Sequence, residues 1–293
     1  MSDDGSVRRI QQILPAMPSS DGAGVKILRS LGQRQNARLD PFLMLDEIYS
    51  DDARDYLAGF PSHPHRGFET VTYMREGHML HEDHLGNKGD LRSGGAQWMT
   101  AGRGIIHSEM PQQESGRMHG FQLWINLPAR EKMKPASYKD LQSEDIPGVA
   151  LPAGGSVKVI AGTLQIGDAA PVPGPIRGIT TDPILFDVTL PAGASFRHAV
   201  AADHNAFVYV YAGGLRVGPQ EGGQTLRTHS AGLLTPGTVI ELSAGNAGAG
   251  VLVLAARPLN EPVVQYGPFV MNTVQEIEQA IRDYQRGELT LAA

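Results

Sequence analysis

The stretch FPSHPHRGFETVTYM, Phe60 to Met74, sets two histidines either side of one proline at the threshold of a β-like run. On an extended chain alternate side chains share a face, so His63 and His65 point the same way. Pro64 fixes its own φ and biases His63 toward extended geometry, which helps hold the pair in that state. Two parallel imidazoles suggest a metal, and a metal needs further ligands from elsewhere in the chain.

Candidate partners lie in TAGRGIIHSEM, where His107 and Glu109 form a second i, i+2 pair in a glycine-framed, apolar setting. If this segment is extended, both side chains share a face. Two such pairs on strands facing into one barrel would present three imidazoles and one carboxylate. That set suits a first-row transition metal and leaves positions open for substrate or dioxygen. The chain has no cysteine, which argues against a closed structural zinc site and excludes a disulfide framework or a thiol nucleophile. Glu69 competes for the carboxylate position, because it shares strand parity with His63 and His65. The spacing does not choose between Glu69 and Glu109; the other role open to Glu69 is to orient a ligand imidazole.

The whole chain fits a β framework. Its 293 residues suffice for about two domains. With 35 glycines, 20 prolines and only 19% charged residues, the profile is that of many short strands and turns. A net charge of −6 gives no general drive toward nucleic acid or an anionic membrane. Arg8, Arg9, Arg29, Arg34 and Arg38 are scattered without interleaved aromatics and read as solvated surface. The N-terminal MSDDGSVRRIQQILPAMPSS lacks the apolar core of a signal peptide, and VLVLAA (Val251–Ala256) is far too short to span a bilayer. A soluble, cytoplasmic protein is expected.

Strand-like segments ETVTYM, GHMLHED, AQWMT and HGFQLWIN run from Phe60 to Asn126. Leu127–Gly148 reads as a polar connector with a helical turn, after which VKVIAGTL, ILFDVTL, AFVYVYAG and VLVLAA resume the pattern. The halves echo each other: Glu69–Gly77 aligns with Ala206–Gly214, and Trp98–Gly102 with Leu233–Gly237. The expected division is therefore a metal-binding domain over 1–140 and a related domain over 141–293. In the repeat, His63 and His65 fall on Val200 and Ala202, with His198 nearby, so the second copy is expected to have lost the metal. Near the C-terminus Thr273 and Glu276 have capping-box spacing, and Val274, Ile277, Ile281 and Tyr284 follow with helical period up to Gly287. The cluster HEDH, His81 to His84, reads as a polar hairpin whose side chains split between faces. His119, Gln122 and Trp124 are pocket candidates of which one strand can turn only about half inward.

LDPFLMLDE (39–47), GFPSHPHRGFETVTY (59–73), HEDHLGNKGDL (81–91), QWMTAGRGIIHSEMP (97–111) and GPFVMNT (267–273) resemble, in order through nearly the whole chain, the pirin family of bicupin proteins. The resemblance implies an all-β fold of two tandem cupin β-barrels, a metal in the first only, and a C-terminal helix packed on the sheets. It implies iron as Fe(II), with Mn, Ni, Cu, Co or Zn as other divalent occupants, held by His63, His65, His107 and Glu109. It thus favours Glu109 over Glu69, although the general cupin pattern would favour the glutamate nearer the first pair. Two activities are attached to such proteins. One is a quercetinase-type dioxygenase that opens a small aromatic flavonol with O2 and releases CO, with Glu109 as candidate base. The other is an iron-dependent redox-sensing regulator that binds a transcription factor or metabolic enzyme. The enzyme is the favoured expectation, without direct nucleic-acid or membrane binding.

Overall fold

The computed structural model describes residues 5–34 and 37–291. Tertiary contacts divide the chain into two units. One comprises Met17–Asp145 with Leu259–Ala293, the other Met1–Ala16 with Ile146–Pro258. Strands dominate both, the described residues hold one α-helix, and no helix is long and apolar enough to cross a membrane.

The division corrects the expected boundary at 140/141 at both ends of the chain. Strand Ile10–Pro15 pairs with Ser230–Leu234 and so joins the unit built by the second half. The helix Val274–Gln285 belongs to the unit of the first half. Its Ile277 and Ala280 pack with Phe269, Met271, Leu289 and Ile106. The helix itself forms as its sequence dictates. Thr273 accepts from the Glu276 backbone N–H, Glu276 returns a bond to the cap, and Gly287 stops the helix at φ +74°.

In the unit that contains Phe60–Met74, seven strands form one antiparallel sheet. Their order is Ser137–Leu141, Ala96–Thr100, Phe68–Glu76, Met118–Asn126, Phe42–Ser50, Val25–Arg29 and Met17–Asp21. Four strands form a second sheet in the order Phe60–His65, Ile105–Pro111, His78–Asp83 and Lys88–Arg92. Val25, Ile27, Ile48, Met74 and Met118 of the larger sheet pack with Met79 and Leu91 of the smaller one. Burial of such side chains, worth roughly 1.5–3 kcal/mol each, holds the two sheets together. Leu127–Gly148 is more than a connector: besides a 3-10 turn at Ala129–Glu131 it supplies the edge strand Ser137–Leu141.

The chain passes between the two sheets at Arg66–Gly67. Gly67 has φ +91°, and a Cβ there would lie 2.0 Å from the Val270 carbonyl oxygen, so only glycine fits. Two buried basic side chains brace this corner. Lys132 Nζ donates to Gly67 O at 2.7 Å, Asn126 Oδ1 at 2.6 Å and Val270 O at 2.9 Å. Arg66 donates to the carbonyls of Arg103 and Leu289 and pairs with Asp283 at 2.6 Å.

The second unit repeats the scheme. Its main sheet runs Ser230–Leu234, Asn205–Val217, Val239–Ala256, Ile184–Leu190, Ser156–Ala161. That order matches Ala96–Thr100, Phe68–Glu76, Met118–Asn126, Phe42–Ser50, Val25–Arg29, and both segment alignments from the sequence fall on corresponding strands. Its interior is one apolar cluster that includes Val200, Leu242 and Ala244, while Ala202 is exposed. His198 is buried there between Phe186 and Phe196, and burial pushes its imidazole down to about 4, which keeps it neutral.

Candidate metal centre

The two histidine pairs meet because their strands are neighbours. Ile105–Pro111 runs antiparallel to Phe60–His65 with His107 opposite His63 and Ile105 opposite His65. A register shift between His107 and Glu109 then places Glu109 opposite Phe60. One ring nitrogen from each of His63, His65 and His107 lies within 4.8 Å of the other two. His65 and His107 are buried, whereas His63 reaches toward solvent.

The nitrogen atoms are disposed as a cation requires. His63 Nδ1 lies 2.7 Å from the Pro61 carbonyl, so that nitrogen carries the proton and Nε2 keeps its lone pair. His63 Nε2 and His65 Nε2 face each other at 3.1 Å. His107 Nε2 is buried with no hydrogen-bond partner. Convergent lone pairs and an orphaned buried nitrogen are what a bound divalent ion would satisfy. Burial holds His65 well below the ordinary imidazole range, and His63 adds to that effect. Burial does the same to His107, reinforced by His65, His63 and His81. Neutral imidazoles are the ligand-competent form.

Glu109 is buried and faces the same cavity as His63 and His65, but it stands outside the three-histidine group. The Thr72 hydroxyl donates to its Oε1 at 2.8 Å, and the Gln122 amide to its Oε2 at 3.4 Å. Glu69 lies elsewhere. It sits on the opposite face of its strand from Thr72, accepts from Thr100 Oγ1 at 2.7 Å and lies 4.0 Å from Lys134 Nζ. Burial pushes its carboxyl up, against the pull of Thr100 and Lys134. Parity with the histidines fails for Glu69 because the chain changes sheets at Arg66–Gly67, so alternation does not carry across.

His81 is a functional candidate that its hairpin setting hid. It is buried, its Nδ1 lies 3.4 Å from His107 Nδ1, and its ring stacks on Tyr138 at 4.4 Å. The rest of HEDH behaves as expected: Asp83 accepts from the Leu85 and Asn87 backbone N–H groups and shapes the turn. Alternation also sorts the pocket candidates. Gln122 and Trp124 face the cavity, whereas His119 points to the other side of the sheet and bonds Glu47 at 2.8 Å. Arg29 and Arg8 correct the solvated-surface reading. Arg29 lines the cavity and binds Asp46 through two parallel bonds. Arg8 is buried in the other unit and donates to the Ala201 and Thr235 carbonyls.

His63 and His65 open onto a cavity of about 660 Å³, walled by Ile27, Leu43, Met44, Ile48, Phe60 and Trp124 with a few polar groups. This size and lining suit a small, largely apolar molecule.

Residues 24–125 match the family model described as Pirin, and residues 185–290 the Pirin C-terminal cupin domain. The chain is 50% identical to a Pseudomonas aeruginosa protein named "Putative quercetin 2,3-dioxygenase", over 97% of this chain and 99% of that one.

This chain belongs to the pirin family.

Human pirin is 39% identical over 97% of this chain and 94% of its own. A crystal structure described as quercetin 2,3-dioxygenase from Acinetobacter baumannii superimposes with a TM-score of 0.85 at 33% identity, covering 97% of this chain and 99% of that one. The bicupin architecture of pirins is thus the architecture of this chain.

Proposed function

We propose that this pirin is a metal-dependent dioxygenase that opens the ring of a flavonol such as quercetin with O2 and releases CO. The observation that carries the reading is the trio of converging imidazoles, two of which, His63 and His65, line a cavity sized for a small aromatic molecule. A relative at 50% identity and a structural neighbour at 33% identity carry quercetin dioxygenase names, which supports the same reading.

In this proposal His63, His65 and His107 would hold one divalent ion, with Fe(II) the favoured metal and Glu109 as fourth ligand. The bound metal would supply open coordination and Lewis acidity toward a substrate hydroxyl. The protein's own work is then positional. Phe60, Leu43, Met44 and Trp124 flank the aromatic rings and exclude water. Trp124 packs edge-on against His65 at 5.3 Å, which fixes the orientation of that imidazole. Glu109, held by Thr72 and Gln122 at the cavity wall, accepts the proton of the substrate's enolic hydroxyl at a carboxylate oxygen.

The test is loss of flavonol absorbance under air, with oxygen uptake and CO release, by iron-loaded protein against apo-protein and His65→Ala. Turnover confined to the loaded wild type supports the proposal. No turnover above the controls, across a panel of flavonols, removes it.

A further inference from the structure

The register of the seven-stranded sheet lays out a row of four polar side chains, of which Gln122, Asp46 and Arg29 line the cavity. Thr72 pairs with Gln122, Gln122 with Asp46, and Asp46 with Arg29, one residue from each of four adjacent strands. At one end Thr72 and Gln122 hold Glu109. At the other end stands Arg29. Adjacent strands lie about 4.8 Å apart, which puts Arg29 two spacings, roughly 10 Å, from Gln122.

The Arg29 guanidinium is fixed. Its Nε donates to Asp46 Oδ1 at 2.8 Å, and its Nη2 donates to Asp46 Oδ2 at 2.7 Å and Asp21 Oδ2 at 2.8 Å. These bonds leave both N–H groups of Nη1 without a partner among the described residues. Arg29 is only partly covered, and Asp21 is about half exposed beside it. One guanidinium against two carboxylates leaves this end of the cavity with net negative charge. A ligand carboxylate would meet that excess, although an unmatched arginine would attract it. A neutral hydroxyl meets a donor in Nη1 and an acceptor in Asp21.

We infer that Arg29, clamped by Asp46 and Asp21, determines specificity by reading a phenolic hydroxyl at the end of the substrate remote from Glu109, and that it disfavours a carboxylate at that position. The inference rests on the flavonol reading above and adds the ring substitution that this cavity selects. A hydrogen bond from a charged, preorganised donor corresponds to about 10-fold or more in affinity.

Anaerobic binding to the iron(II)-loaded protein tests it, with three probes: 3-hydroxyflavone, which lacks the distal hydroxyls; quercetin, which has them; and 3-hydroxyflavone bearing a 4′-carboxylate. Quercetin is expected to bind about 10-fold or more tighter than 3-hydroxyflavone, and the carboxylate no tighter than 3-hydroxyflavone. In the Arg29→Met, Asp46→Leu double variant, which leaves no buried charge unpaired, the quercetin preference should fall to about 2-fold or less. Arg29→Lys should retain part of it. The ratio is the readout, so a general loosening of the cavity cancels. An unchanged ratio in the double variant, or tightest binding of the carboxylate, overturns the inference. Aerobic turnover of 3-hydroxyflavone reports on the dioxygenase reading alone, because that probe carries the reacting hydroxyl without the distal ones. If turnover fails while the binding ratio behaves as stated, the specificity role stands and the reaction assignment falls.

Discussion

Replacing His81 by Phe isolates one contact behind the histidine trio. Phe keeps an aromatic ring against Tyr138, where His81 now stacks at 4.4 Å with 17° between planes, and removes the nitrogen that faces His107. If His107 offers Nε2 to the metal, its Nδ1 carries the proton and donates to His81 Nδ1 at 3.4 Å. Losing a partner that orients a metal-ligating imidazole costs ~10–100-fold in affinity. A separation of 3.4 Å is long for N–H···N, so the loss should sit at the low end, about 10-fold or ~1.4 kcal/mol. The assay is anaerobic competition for iron(II) or cobalt(II) against a chelator, read together with the cobalt(II) spectrum. The spectrum reports ligand orientation, which a merely structural change far from the site would leave alone. Binding within about twofold of wild type, with an unaltered spectrum, would refute a role for His81 in setting the orientation of His107.

The two carboxylates should separate cleanly: Glu109→Gln lowers metal affinity and abolishes flavonol turnover, whereas Glu69→Gln changes metal affinity less, and the reverse order in metal competition would restore Glu69 as a ligand. Burial pushes Lys132 down to about 7, against ~10.4 for an unfolded lysine. Between these values the unfolded chain binds more protons, so stability rises with pH. From pH 7 to 9 wild type should therefore gain about 2 kcal/mol over Lys132→Met in chemical denaturation, and a pH-independent difference would mean that Lys132 stays charged in its oxygen cage. Thr273→Ala removes the helix cap and should cost about 1 kcal/mol in the same assay.

What the sequence made legible is what depends on neighbours in the chain. Each histidine pair is an i, i+2 pattern on one strand, and the capping box at Thr273 is an i, i+3 pattern, so local geometry sufficed. The repeat itself was visible as two aligned segments because each of those strands keeps its own turn, whereas the matching strand orders emerge only from the pairing in the sheets. The parity assigned to Glu69 failed at a local event, the change of sheet at Gly67. Features set by distant partners could not be read. Arg29 is matched by Asp46 from the next strand, and Lys132 by a carbonyl from the C-terminal segment, 138 positions away. His81 reaches His107 across 26 positions and becomes buried only once the four-stranded sheet is assembled. The exchange of chain ends between the units has the same origin, because an edge strand or a closing helix carries no local mark of the sheet it joins.

The most direct measurement of the central claim is a titration of apo-protein with iron(II), followed by the initial rate of quercetin consumption under air. Three imidazoles forming one site predict a rate that rises linearly and breaks at one equivalent of iron per chain, and a flat response for His107→Ala. A rate that never exceeds that of free iron, or the same break in His107→Ala, would contradict the assignment of this pirin as an oxygenase working through His63, His65 and His107.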